Sequence, residues 1–249
     1  MTKPDQLKSD ITRFCDYFDS QVKDIETLQS SHDELYRKLL FVAVLDTLSG
    51  TVMPRRKNKE RFVGFVQRFC RWSDGSRVSL PHLVQLLRKN PDPALDSLRK
   101  WALQKYSQLP VHSGALMHIS EDPLLEAVKR EWPSSSDQKI PIEGIDVMAL
   151  THSHLLYTYR NALVHELRMP GYGMTFGDKE EEPYYHGSST VGEDPELILK
   201  TVELVYPWRF LSRLCTTGVA EMRGYLLANE LNPYDSFTFG TYWLKELNR

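Results

Sequence analysis

The chain has 249 residues, with 33 Asp and Glu against 31 Lys and Arg, for a formal net charge of −2. That length carries a sizeable core, and that charge excludes the broad basic field of a protein that grips nucleic acid over its whole surface. Cys15, Cys70 and Cys215 stand too far apart in sequence for a CxxC or Cys/His metal motif. An odd, sparse set of cysteines fits a reducing compartment.

The first residues are polar, with Lys3, Asp5, Lys8 and Asp10, unlike a secretory signal. No apolar run reaches the ~18 residues of a transmembrane helix. The expectation is a cytoplasmic chain with no membrane partner.

From residue 5 to about 30, Leu7, Ile11, Phe14, Phe18, Val22, Ile25 and Leu28 recur at spacings of three and four, which predicts an amphipathic helix. Ser31, three residues before Glu34, has the pattern of a capping box that opens a second helix. Its apolar residues surround much of its girth, so it is expected to be central, ending at Ser49-Gly50 and Pro54. Residues 55–72 are basic, and Phe62, Phe65, Val66 and Phe69 are spaced for the buried side of a third helix. Arg55, Arg56, Lys57 and Lys59 are candidate RNA contacts. The plainer reading, which the core spacing of the phenylalanines favours, is the solvated face of a helix.

Two further helices are predicted near 80–90 and 93–107, separated by Pro91 and Pro93. Residues 108–145 are broken by four prolines and read as an irregular excursion on a single domain, with a short helix near 122–131. Helical periodicity returns at 145–168, through Met148, Leu155, Leu156, Tyr159 and Leu163. Pro170-Gly171-Tyr172-Gly173 ends it. An acidic loop or hairpin follows at 171–193, in which Met174-Thr175-Phe176 and Tyr184-Tyr185-His186 suit pairing strands. Residues 194–230 read as a last long helix, bent near Pro207. The tail aromatics Tyr234, Phe237, Phe239, Tyr242 and Trp243 suit docking on the body or on a partner. The fold class expected is therefore an all-α helical bundle with loop insertions and room for one small hairpin.

Arg160-Asn161-Ala162-Leu163-Val164-His165 carries the most chemistry for its length. Histidine exchanges protons near neutrality. Arginine keeps its charge and presents a fork that matches phosphate oxygens. Asparagine orients either one. Such a set suits metal-independent RNA cleavage, in which the ribose 2′-hydroxyl attacks the adjacent phosphate, His165 transfers the proton and Arg160 stabilises the charge on the phosphoryl oxygens. Geometry sets a condition. Five residues turn an ideal helix by ~500°, so Arg160 and His165 point ~140° apart. A distorted helix, the reach of the side chains or a second subunit must close that gap. Asn161 and His165 share a stripe with Thr158 and Arg168, which makes Arg168 a secondary RNA-binding candidate. The plain alternative is a structural Arg and His on a helix surface. His152 and His154, two apart, face different sides of a helix and do not suit a shared metal.

This stretch resembles the HEPN superfamily, whose mark is an Arg, usually followed by a polar residue, and a His four to six residues on. The segment Asp46-Thr47-Leu48-Ser49-Gly50 is similar to one found in some members. The resemblance implies a HEPN-type helical bundle, a homodimer, no cofactor or metal, and a metal-independent endoribonuclease of a bacterial defence or toxin type. RNA would be the substrate, and an antitoxin or regulatory protein a further partner. Arg160 and His165 would be its acting residues. The tyrosine two places after the His in one toxin branch is replaced here by Leu167. Other HEPN members are non-catalytic binding modules, and that is the second functional expectation for this chain.

Overall fold

The computed structural model describes residues 3–109, 116–135, 138–171, 180–191 and 198–237. The fold is mostly α-helical, with a small antiparallel sheet. The chain divides into two compact units, Met1–Trp72 with Leu211–Arg249, and Ser73–Phe210.

In the first unit the described elements are helices: α1 (Lys3–Glu26), α2 (Asp33–Val52), α3 (Asn58–Phe69) and all but the first turn of α8 (Trp208–Ala228). Ile11, Phe14, Cys15, Phe18, Val22 and Ile25 of α1 are buried, as their spacing predicts. So are Phe62, Phe65, Val66 and Phe69 of α3. Gly218 lets α8 approach α3 closely, since a Cβ there would stand 2.9 Å from the Phe65 ring. Arg223 of α8 bonds Asp16 and Asp19 of α1. All three cysteines are free and buried. Burial pushes the Cys15 thiol up to about 11 and the other two well up, which removes them as thiolate nucleophiles.

The capping box at Ser31 does not form. His32 occupies the cap position, and the amide of Glu34 donates to Asp33. Nor does α2 stop at Ser49-Gly50. Ser49 turns its hydroxyl back to the Asp46 carbonyl and is buried, so the helix continues to Val52 before Pro54. Tyr234 and Phe237 pack their rings on Phe14, and Phe237 also on Phe18. The expected tail aromatics Phe239, Tyr242 and Trp243 lie outside the described residues.

The second unit holds α4 (Leu80–Lys89), α5 (Asp96–Tyr106), α6 (Leu125–Glu131) and α7 (His152–Glu166). Its three-stranded sheet has the order β1 (Met117–His118), β4 (Tyr184–Val191), β5 (Ile198–Val205), all antiparallel. A two-stranded ladder joins β2 (Ser134–Ser135) to β3 (Gln138–Lys139). The core combines Leu83, Leu87 and Leu98 with Val128, Trp132, Ile142 and Leu150. The proline-broken stretch expected to be peripheral therefore supplies core residues. The indole N–H of Trp132 donates to the Ile140 carbonyl at 2.8 Å, which ties that stretch on itself.

The end of this unit differs from expectation. Residues 198–205 pair with β4, Tyr184 opposite Val205 and Val191 opposite Ile198, and helix begins only at Trp208, after Pro207. The run Ile198-Leu199-Lys200-Thr201-Val202-Glu203-Leu204-Val205 suits either period over eight residues, and its β-branched residues fit a pleated strand. The Tyr184–His186 flank is a strand, as expected, but its partners are β1 and β5. The Met174–Phe176 flank lies outside the described residues. No helix among the described residues is long and apolar enough to cross a membrane.

Candidate functional site

α7 carries the Arg-Asn…His stretch. Val147–Leu150 form a 3-10 turn, Thr151 is extended, and the α-helix starts at His152. Leu156, Tyr159, Arg160 and Leu163 form its buried side, at spacings of three and four. Arg160 is only 8% exposed. His165 sits in the last turn and is exposed. The two residues thus leave the helix in different directions, as five residues of turn require.

Side-chain length closes the gap. The Arg160 guanidinium bends around the helix so that Nη1 lies 3.0 Å from Asn161 Oδ1 and 3.4 Å from His165 Nε2. Nη1 carries two hydrogens, one for each acceptor. An arginine N–H can only donate, so in this contact His165 Nε2 is the acceptor. The second contact is at the long end of hydrogen bonding, so an incoming oxygen can compete for the same N–H. Asn161 Oδ1 is the nearer of the two acceptors on this N–H group.

Arg168 does not join this group. α7 ends at Glu166 because Leu167 adopts the left-handed conformation, with φ 51° and ψ 38°. The stripe from Asn161 through His165 therefore stops before Arg168. Its Nε bonds Glu166 Oε2 at 2.6 Å, on the surface. The expectation that Arg168 lies one helical turn beyond His165 needed two more helical residues than exist.

Arg55, Arg56, Lys57 and Lys59 belong to the first unit and are exposed, in the α2–α3 connection and the first residues of α3. Other basic residues of that stretch are engaged locally. Arg61 faces Asp46 at 3.6 Å, and Arg71 pairs with Glu221 at 2.6 Å. Of the acidic loop, Glu180 lies 3.8 Å from His118, and Glu181 and Glu182 are exposed. Among the described residues no group of three or more His, Cys, Asp or Glu is placed to hold a metal ion.

A second polar group went unread in the sequence. Asp122 is 1% exposed, and Ser79, His152 and Tyr185 are fully buried. Asp122 Oδ2 lies 2.7 Å from His152 Nε2 and 2.6 Å from Tyr185 Oη, and Oδ1 accepts the Leu80 amide at 3.0 Å. Tyr185 Oη is also 2.7 Å from Ser79 Oγ, which is 2.7 Å from His82 Nδ1. One phenol proton serves one contact, and a carboxylate has none to give. With Asp122 as a carboxylate, one proton assignment fills every contact. His82 donates to Ser79, Ser79 to Tyr185, and Tyr185 to the Asp122 carboxylate, which also accepts from His152. Burial holds His82 down to about 4, with His152 adding to the effect and Asp122 opposing it. Burial likewise pushes the Tyr185 phenol well up. This network joins the start of α4, the start of α7 and strand β4. It is sealed from solvent at its centre, so it orders the elements that carry α7 and is not itself exposed to a substrate.

No family model, no curated protein and no solved structure matches this chain.

Proposed function

We propose that this protein is a metal-independent endoribonuclease of HEPN type, with His165 as proton-transfer group, Arg160 as phosphate and transition-state stabiliser, and Asn161 as the residue that orients Arg160. One observation carries the reading: a guanidinium anchored by Asn161 is held 3.4 Å from an exposed imidazole whose Nε2 is a proton acceptor. The 2′-oxygen bonds to phosphorus and the P–O5′ bond breaks. His165 Nε2 takes the 2′-hydroxyl proton, and the 5′-oxygen receives a proton as it leaves, so the products are a 2′,3′-cyclic phosphate and a 5′-hydroxyl. Arg160 turns the N–H now shared with His165 onto a phosphoryl oxygen. A homodimer would set two such motifs in one cleft, one imidazole taking the proton and the other giving it. Arg55, Arg56, Lys57 and Lys59 are RNA contacts in this reading. The setting is cytoplasmic, in a defence or toxin role held in check by an antitoxin or regulatory protein.

Burial of Arg160 and the exposed apolar Val164 and Leu167 beside His165 favour a second reading, a non-catalytic module of the same type that binds a partner at this helix end. Incubation of end-labelled RNA with the full chain in EDTA separates the two. The nuclease reading expects fragments with cyclic phosphate ends, and a loss of at least about 100-fold in His165→Ala and in Arg160→Ala. Cleavage that survives both substitutions refutes it.

A further inference from the structure

We propose that the first unit contains a nucleoside-phosphate site in the cleft between the α2–α3 connection and the end of α8. The cleft encloses about 440 Å³ and is lined by Arg55, Arg56 and Arg68, a volume in the range of pockets that hold one small organic ligand. The three guanidinium groups differ from their basic neighbours in one respect. Arg61 and Arg71 are matched to carboxylates, whereas no carboxylate lies within ion-pair distance of Arg55, Arg56 or Arg68 among the described residues. Arg68 is held instead by aromatic faces, its Cζ 4.6 Å over the Tyr225 ring and 5.2 Å over Phe69. Stacking occupies the flat face of a guanidinium and leaves its in-plane N–H donors for an anion. Arg56 is laid along α3 where Gly64 has no side chain. A Cβ there would stand 3.8 Å from Arg56 Nη1 and 3.2 Å from Met53 Sδ.

The rest of the lining says what kind of anion. Met53, Leu226 and Leu231 supply an apolar wall, which suits the face of a base and not a bare oxyanion. Asp235 lies in the same lining. A carboxylate there repels a small polyanion but accepts hydrogen bonds from ribose hydroxyls. Phosphate on the arginines, base on the apolar wall and ribose at Asp235 together describe a ribonucleotide. The ligand is either a free mononucleotide or one nucleotide of an RNA strand. This rests on the RNA reading only for the second source, and α7 has no part in it.

Full-length protein carrying His165→Ala is titrated by calorimetry with 5′-AMP and with inorganic phosphate, and by fluorescence anisotropy with a labelled single-stranded RNA hexamer. The same titrations are made with Arg55→Gln/Arg56→Gln added, and with a control that removes two exposed charges elsewhere, Lys89→Gln/Lys100→Gln. Binding of AMP well above phosphate, weakened at least about tenfold by the arginine pair and less than about twofold by the control, supports the site. Binding of the hexamer alone with the same variant pattern also supports it, and assigns the strand as the source. Absence of binding by both nucleotide probes overturns it, as does equal weakening in the control pair, which would mean diffuse charge attraction. Cleavage in EDTA is scored independently. An active nuclease with no cleft binding sinks this proposal alone, and AMP binding by a chain that cuts nothing leaves it standing.

Discussion

Replacing Asp122 by alanine removes the acceptor on which three donors converge, His152 Nε2, Tyr185 Oη and the Leu80 amide. Tyr185 can turn its proton to Ser79 Oγ at 2.7 Å, provided that the Ser79 hydroxyl turns in its place to His82 Nδ1. His152 Nε2 and the Leu80 N–H lose the partner they share. A buried donor left without its acceptor costs about 1–3 kcal/mol, so two cost roughly 2–6 kcal/mol. Native stabilities of about 5–15 kcal/mol make that a large fraction. With a urea dependence of about 1–3 kcal/mol per molar, the midpoint should fall by at least about 0.7 M. Asp122→Asn keeps one oxygen, either for the Leu80 amide at the Oδ1 position or for Tyr185 and His152 at the Oδ2 position, and should lose less than the alanine variant. Urea titrations followed by tryptophan fluorescence and by circular dichroism read both. A loss below about 1 kcal/mol in Asp122→Ala, or an asparagine variant no better than the alanine one, would refute the view that this carboxylate holds α4, α7 and β4 together.

His82 supplies a pH prediction. The folded chain keeps its imidazole neutral down to about 4, while the unfolded chain takes up the proton near 6.5. Between those values the unfolded state binds more protons. Stability from this site is therefore fully present above about 6.5 and falls as the pH drops, levelling off below about 4, after a total loss of roughly 3 kcal/mol. His82→Gln should flatten the change in urea midpoint between pH 7 and pH 4.5, and a slope equal to wild type would count against the assignment. Leu167 holds φ 51° while 56% exposed. The left-handed region costs a side chain roughly 1–2 kcal/mol, part of which glycine returns as chain entropy. Leu167→Gly should thus stabilise by about 0.5–1 kcal/mol in thermal unfolding, and a lowered melting temperature would show that the leucine side chain contributes more than its backbone costs.

Elements with a long, regular period were legible from residues alone. The buried face of α1 and the phenylalanines of α3 follow from spacings of three and four, because a helix repeats every 3.6 residues whatever it packs against. Arg160, Asn161 and His165 stand out in the sequence by side-chain type. Their convergence does not. Spacing alone places the two side chains ~140° apart, and the flexible arginine stem, with Asn161 as anchor, brings Nη1 to Nε2. Residues 198–205 fit both periods, and pairing with β4 decided for a strand. The polar network lay beyond any local signal. His152 is 30 residues from Asp122 and Tyr185 is 106 from Ser79. Each alone is an ordinary polar residue, and only packing that excludes water makes their mutual satisfaction obligatory.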